Sequence, residues 1–261
     1  MDFGLKGKTA LVLAAGGGLG RATAVALAKE GANVAIAGIR AKSIDETMAE
    51  LAPIGVRTMS LLWDLADLSV IDANIAKIEA ELGPVDILVN NSGGPPPTTA
   101  AGQDPAVWMQ QFQAMILSVI ATTDRVLPGM KARQWGRIIT NTSSGIIAPI
   151  PNLGISNTLR ASLVGWSKTL AREVAKYGVT CNIVVPGRIA TSRVAALNKA
   201  RAQREGRTEE DVAAETIATI PIGRFGKPEE FGDLVTFLAS ERTAYITGSI
   251  FRIEGGMIAS I

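Results

Sequence analysis

TALVLAAGGGLGRATAVALAKEG, residues 9–31 of the chain, is the stretch that decides the expected fold. Thr9 to Leu13 form a short apolar run, which predicts a strand, and Ala14 to Gly20 form a glycine-rich turn. Arg21 to Glu30 predict a helix, and Gly31 is placed as its stop. The stretch therefore predicts a strand, a tight loop and a helix in direct succession.

The same alternation continues along the chain. One further helix is marked by apolar residues at steps of three and four: Leu68, Ile71, Ile75, Ile78 and Leu82. More helices are predicted at Ala41–Leu51, near Pro105–Lys131 and at Ser156–Tyr177. Strands are predicted at Asn33–Ala37, Val56–Leu62, Val85–Val89, Arg137–Asn141 and Val179–Val185.

Strands that alternate with helices of this length imply right-handed crossovers and a parallel sheet covered on both faces. The predicted fold class is α/β, a single doubly wound Rossmann-type domain over residues 1–261. The segment Thr191–Ile220 interrupts the pattern, because it is rich in Arg and Glu and shows no strand periodicity. It is either a solvated helix pair or a lid over the site, and the sequence leaves both open.

Composition excludes several classes of function. With 26 Lys plus Arg against 24 Asp plus Glu, the net charge is +2, which predicts no nucleic-acid-binding surface. No apolar stretch reaches the length of a membrane span. The absence of His excludes His-based catalytic triads and most zinc sites, so no metal is expected. The single Cys181 excludes an intrachain disulfide framework, and we expect a cytoplasmic protein.

The glycine-rich turn predicts a dinucleotide site, because glycines let backbone amides approach a pyrophosphate at a helix N-terminus. The fingerprint with glycines at positions one, three and six fails here, since it lands on Arg21 from Gly16 and on Thr23 from Gly18. Ala14, Gly18 and Gly20 instead follow a Gly-x-x-x-Gly-x-Gly spacing with Ala in the first place.

Four further motifs accompany this spacing in order. They are Asp64-Leu65, Asn90-Asn91-Ser92-Gly93, Val185-Pro186-Gly187 followed by Thr191, and Tyr245-Ile246-Thr247-Gly248 with Glu254-Gly255-Gly256. Together the motifs resemble those of the short-chain dehydrogenase/reductase family, of the 3-oxoacyl-acyl-carrier-protein reductase type, over nearly the whole chain. The resemblance implies an NAD(P) cofactor held by Ala14, Gly16, Gly18, Leu19, Gly20, Arg40, Asp64, Leu65, Asn91, Ser92, Gly93, Arg160, Pro186, Gly187, Ile189 and Thr191.

The choice between NADP and NAD is decided largely at the end of the second strand. An acid there would accept hydrogen bonds from the ribose 2′-hydroxyl and repel a 2′-phosphate. Gly38 occupies this place, Arg40 is nearby, and no acid lies between Val34 and Ser43. The sequence therefore predicts NADP in preference to NAD, with Arg40 as the phosphate partner; otherwise Arg40 is a solvated cation at a helix start.

The catalytic positions depart from the family pattern of Ser, Tyr thirteen residues later and Lys four after that. Aligned on Gly136, the Ser position is Ser143, the Tyr position is Ser156 and the Lys position is Arg160. The family's assisting Asn aligns with Met115. The sequence thus predicts an atypical site of Ser143, Ser156 and Arg160 that stabilises a developing alkoxide by hydrogen bonds and charge instead of transferring a proton efficiently.

Three functions remain open from the sequence. The first is an NADP(H)-dependent oxidoreductase acting on a carbonyl or alcohol; the second is a cofactor-binding protein with little or no catalysis. The third is a non-redox enzyme of the halohydrin dehalogenase type, relatives of which also carry Arg at the Lys position. The resemblance also implies a homotetramer, and the apolar, Pro-rich segments expected around the substrate favour an apolar or acyl-type ligand.

Overall fold

The computed structural model describes residues 2–261, and within them seven strands form one parallel sheet. The strands are β1 (Thr9–Val12), β2 (Asn33–Gly38), β3 (Thr58–Leu62), β4 (Val85–Asn90), β5 (Gly136–Asn141), β6 (Val179–Pro186) and β7 (Ile250–Ile253). Their spatial order is β3-β2-β1-β4-β5-β6-β7. The predicted doubly wound α/β fold is confirmed.

Helices cover both faces of the sheet. They are α1 (Gly18–Lys29), α2 (Ala41–Leu51), α3 (Ile71–Leu82), α4 (Pro105–Phe112), α5 (Ser118–Ala132), α6 (Gly154–Val174), α7 (Ser192–Glu205), α8 (Glu209–Ala218) and α9 (Pro228–Ala239). One apolar core includes Leu11, Trp63 and Ile75, and the other, on the opposite face, includes Val12, Leu27 and Phe231. None of the described helices is long and apolar enough to cross a membrane.

The sheet order creates the crevice in which the site lies. β1 pairs with β2 on one side and with β4 on the other, so the chain reverses its direction of winding between β1 and β4. In open parallel sheets, ligands bind outside the carboxyl ends of the strands at such a reversal. The loops after β1 and β4 are therefore brought to the same opening.

The structure differs from the sequence prediction in two places. The predicted helix near Pro105–Lys131 consists of α4, a π-helical turn at Gln113–Leu117 and α5. The helix α9 was not predicted, although Phe231, Val235 and Leu238 give it a buried apolar face. The apolar residues of α9 recur at helical spacing, so the sequence contained the signal for this helix. The helix follows the irregular stretch after α8. The segment Thr191–Ile220 is helical as expected, and it holds α7 and α8.

Candidate functional site

A cavity of about 700 Å³ lies along the carboxyl ends of the strands. Residues that directly follow or end six of the seven strands line it, from Ala14 after β1 to Pro186 at the end of β6. All predicted catalytic and cofactor residues line this cavity except Gly20. The volume is within the usual range for ligand pockets, roughly 300 to 1,000 Å³.

The N-terminus of α1 opens into this cavity without a side-chain cap. Gly17 is the N-cap residue, no side chain bonds the first turn, and no acidic residue lies in that turn. The first N–H groups of a helix have no partner within the helix, so they and the helix dipole favour a bound anion. This arrangement fits the pyrophosphate of a dinucleotide.

The glycine loop is held close to the next strand ends. A Cβ at Gly20 would lie 2.6 Å from the carbonyl oxygen of Ala14 and 2.8 Å from Cα of Ala15, which explains why glycine is needed although it does not line the cavity. Ala14 itself has φ 48°, in the left-handed region where a side chain costs roughly 1 kcal/mol. The loop therefore holds Ala14 in a conformation that glycine adopts more readily.

An asparagine network ties three strands together at the crevice. Asn141, the last residue of β5, donates from Nδ2 to Oδ1 of Asn91 over 2.8 Å. Asn91, directly after β4, donates in turn to the carbonyl oxygen of Ala14 over 3.2 Å. The network fixes the loop after β4, which contains Ser92 and Gly93, against the glycine loop.

The end of the cavity near β2 and β3 has the features expected for the adenosine half of the cofactor. Arg40 is exposed at the N-cap of α2, and no described carboxylate lies within 4 Å of its side chain. Asp64 follows β3, and its Oδ1 accepts a hydrogen bond from the amide of Ala66 over 2.9 Å. Leu65 lines the same region. A cationic side chain available here, without an acid beside Gly38, fits a 2′-phosphate.

The loop after β6 closes the other side of the cavity. A Cβ at Gly187 would lie 2.6 Å from Cβ of Glu254, so only glycine lets this loop pack against the segment that follows β7. Ile189 pairs with Gly226, and Thr191 caps α7 by accepting from the amide of Val194 over 3.4 Å. The Thr191 methyl group faces Gly18, which brings this loop against the start of α1.

The three predicted catalytic residues share the middle of the cavity. Ser143 follows β5, and its Oγ accepts from the amide of Gly145 over 3.1 Å. Ser156 and Arg160 lie one turn apart on α6, and each is 7% exposed. The Ser156 hydroxyl forms no hydrogen bond with the described residues, so it is available to a ligand.

Arg160 binds backbone oxygens as well as facing the cavity. Its guanidinium donates to the carbonyl oxygens of Ser92 over 3.2 Å, Gly93 over 2.8 Å and Asn141 over 3.4 Å. Burial, with a smaller contribution from the charge of Arg193, lowers the pKa of Arg160 to about 10. The sequence predicted that Arg160 binds a ligand and polarises it. These contacts add a positioning function, because the Arg160 side chain holds the loop after β4 against the end of β5.

The structure places Met115 in the cavity, and the described residues add no tyrosine to its lining. Met115 lies in the π-helical turn, is 2% exposed and lines the cavity. The described lining contains no tyrosine, lysine or glutamate, and neither Tyr177 nor Tyr245 belongs to it. A phenol is therefore not supplied to the cavity from elsewhere in residues 2–261.

Sequence reasoning missed two lining arginines, Arg188 and Arg193. Arg193 lies in the first turn of α7, where the helix dipole disfavours a cation. This position was the one sequence signal that Arg193 has a function. An arginine at a helix N-terminus destabilises the helix slightly, and this one directly follows a predicted cofactor loop. Within residues 2–261, no group of three or more potential metal ligands was found.

Comparisons with known proteins show similarity over nearly the whole chain. A family model described as enoyl-(acyl carrier protein) reductase matches residues 13–258. Nodulation protein G of Azospirillum brasilense is 36% identical over 251 residues, which are 96% of this chain and 98% of that protein. The 3-oxoacyl-(acyl-carrier-protein) reductase FabG of Escherichia coli strain K12 is 36% identical over 259 residues, 98% of this chain and 99% of that protein.

A solved structure gives the same result in three dimensions. The L-sorbose reductase of Gluconobacter frateurii, determined with NADPH and L-sorbose, superposes with a TM-score of 0.94 at 31% identity. The match covers 100% of both chains. The similarity therefore extends over the whole architecture.

Proposed function

The chain belongs to the short-chain dehydrogenase/reductase family and is an NAD(P)-dependent oxidoreductase, and on that premise we propose that it moves hydride between NADP(H) and a carbonyl or alcohol carbon at an atypical site. One observation carries the proposal. The uncapped start of α1, the unpaired Arg40 and the hydroxyl groups of Ser143 and Ser156 line a single cavity.

The chain's own residues would bind the cofactor and orient the substrate. Hydride comes from the nicotinamide ring when the reduced dinucleotide is bound. Ser143 and Ser156 would donate hydrogen bonds to the carbonyl oxygen of the substrate and would stabilise the negative charge that this oxygen gains during reduction. A proton from solvent, relayed by a water that Ser156 would hold as an acceptor, would complete the alcohol. Arg160 keeps the loop after β4 in place and adds positive charge near the oxygen.

The missing phenol sets the expected rate. A positioned general acid is worth about 10² to 10⁴ in rate, and a serine hydroxyl is a far weaker acid than a phenol. We therefore propose slow or substrate-assisted turnover. The same substitutions favour the second candidate, a cofactor-binding protein with little catalysis, which predicts NADPH binding with no turnover of any carbonyl.

Three broader features belong to the same proposal. Residues 1–261 form one dinucleotide-binding domain, and the segment 191–220 acts as a lid, supported by the lining residues that α7 contributes. The protein is a homotetramer, as the family resemblance implies, and a tetramer would cover exposed apolar side chains such as Val107 and Met109 on α4 and Ile250 in β7. A cytoplasmic location stays a prediction from the sequence.

Replacing Arg40 by Ala is expected to weaken NADPH binding by about tenfold and to leave NADH binding within about twofold, because only NADPH carries a 2′-phosphate for the guanidinium. Fluorescence titration of both cofactors measures the two ratios. Lys42→Ala is the matched control, since Lys42 is an exposed cation on the same helix outside the cavity. Equal losses for both cofactors would contradict the assignment of Arg40.

The proposed reaction is tested by NADPH consumption against a panel of ketones, aldehydes and oxo acids. Slow consumption with formation of an equal amount of alcohol is the expected result. Tight NADPH binding without turnover of any member of the panel would favour the second candidate. Halide release from a halohydrin, measured in parallel, would instead support the non-redox reading.

A further inference from the structure

Two arginine side chains meet at the substrate end of the cavity. A methyl group built on Gly94 would lie 3.3 Å from Nη2 of Arg193 and 3.7 Å from Nη2 of Arg160. Arg193 also donates to the carbonyl oxygen of Pro95 over 2.7 Å. Both guanidinium groups therefore face the same short loop, which directly follows the predicted cofactor residues Ser92 and Gly93.

No carboxylate balances this pair. Within the described residues, neither arginine has an acidic oxygen within 4 Å, and the only acid lining the cavity is Asp64 at the adenosine end. The segments 87–103, 125–172 and 174–204 contain no Asp or Glu at all. Two cations without a counter-ion repel each other in a partly buried site, and an anion bound between them would remove that cost.

Arg193 is also exceptional on its own helix. Its position in the first turn of α7 is unfavourable for a cation because of the helix dipole. By contrast, Arg201 and Arg204 further along α7 pair with glutamates. Arg193 is exposed, so its guanidinium is accessible from the cavity. The hydrogen bond to the Pro95 carbonyl oxygen offsets the cost of this position and holds the guanidinium at the cavity.

Resting on the proposed function, we infer that the carbonyl substrate carries an anionic group, a carboxylate or a phosphate, and that Arg193 binds it as a specificity-determining residue. A guanidinium offers two parallel N–H groups to such an anion. Arg160 uses its donors on backbone oxygens and contributes charge. Ile150, Leu153 and Leu197 line the same cavity, so a short acyl chain with an anionic end satisfies both the apolar walls and Arg193.

The first test measures binding without turnover. Protein saturated with NADP⁺ cannot reduce a ketone, so isothermal titration reports affinity alone for acetoacetate, methyl acetoacetate and inorganic phosphate at constant ionic strength. Acetoacetate or phosphate is expected to bind at least about tenfold more tightly than the neutral ester. The acetoacetate and phosphate titrations distinguish an oxo acid from a phosphorylated substrate.

The variants locate the anion. Arg193→Met is expected to remove the preference for the anion over the ester, with NADP⁺ affinity unchanged within about twofold. Lys199→Met is the matched control, because it removes a cation from the same helix outside the cavity and should keep the preference. The inference is overturned if the acid and the ester bind alike, if the two variants behave alike, or if Arg193→Met mainly weakens NADP⁺ binding.

A second test does not depend on the chosen probe. Gly94→Asp would place a carboxylate beside both guanidinium groups. The melting temperature of this variant is therefore expected to lie several degrees above that of Gly94→Asn. Adding Arg193→Met to both variants should reduce that difference in melting temperature. An equal melting temperature for the two variants would overturn the inference. The melting temperatures of Gly94→Asp and Gly94→Asn are compared without cofactor, so they test the inference even if NADP⁺ does not bind. Failure of NADP⁺ binding would contradict the proposed function instead.

Discussion

Changing Met115 to Asn, Ser156 to Tyr and Arg160 to Lys in one chain is expected to raise NADPH-dependent ketone reduction by about 10²- to 10⁴-fold. The phenol would supply a proton donor with a pKa near ~10, and a lysine one helical turn away would lower that pKa. All three positions already line the cavity, so the new groups would face the same space. Steady-state NADPH consumption with a panel of ketones measures the gain.

The matched control for this prediction carries Phe in place of Tyr at Ser156, with the other two changes kept. It has the same ring without the hydroxyl group, so it separates proton donation from filling of the cavity. A similar gain in both triple variants, or no gain in either, would contradict the view that the missing phenol limits the reaction.

Gly20→Ala is expected to weaken NADPH binding by tenfold or more and to reduce the free energy of unfolding by about 1 to 3 kcal/mol. The added Cβ would meet the Ala14 carbonyl oxygen at 2.6 Å and Cα of Ala15 at 2.8 Å, and backbone cannot move aside as a side chain can. The glycine loop and the amide of Asn91 would have to shift together. Cofactor titration and denaturant unfolding measure the two effects.

Gly165→Ala is the control for this substitution. Gly165 lies within α6, and a Cβ there would have no described atom within 4 Å. Alanine is the better helix former, so this variant should be unchanged or more stable by about 0.5 to 1 kcal/mol. If Gly20→Ala and Gly165→Ala had the same stability and NADPH affinity, the close packing of the glycine loop would not matter for the site.

The doubly wound fold was predictable because the sequence alternates short apolar runs with amphipathic helices. Strands such as β4 are fully buried on both faces, which gives a continuous apolar run between turn residues. The loops that the sequence assigned to a cofactor were recognisable as well, since each follows a strand and has a local motif. Parallel strands bring all those loops to one edge, so the residues Ala14, Asn91 and Pro186 meet in one cavity although they are distant in sequence.

Contacts between segments without such motifs were not predictable. The position of Arg193 near Gly94 depends on how α7 packs over the sheet edge, and nothing local in residues 191–193 encodes that. The carbonyl contacts of Arg160 depend in the same way on the loops after β4 and β5. The substrate end of the cavity therefore needed the three-dimensional structure.

A fluorescence titration of the unmodified protein with NADPH and NADH in parallel tests directly whether the cavity binds a dinucleotide. We expect saturable binding of one NADPH for each chain, tighter than the binding of NADH. Binding of neither cofactor would contradict this expectation, because the uncapped start of α1, the close-packed glycine loop and Arg40 would then not form a dinucleotide site.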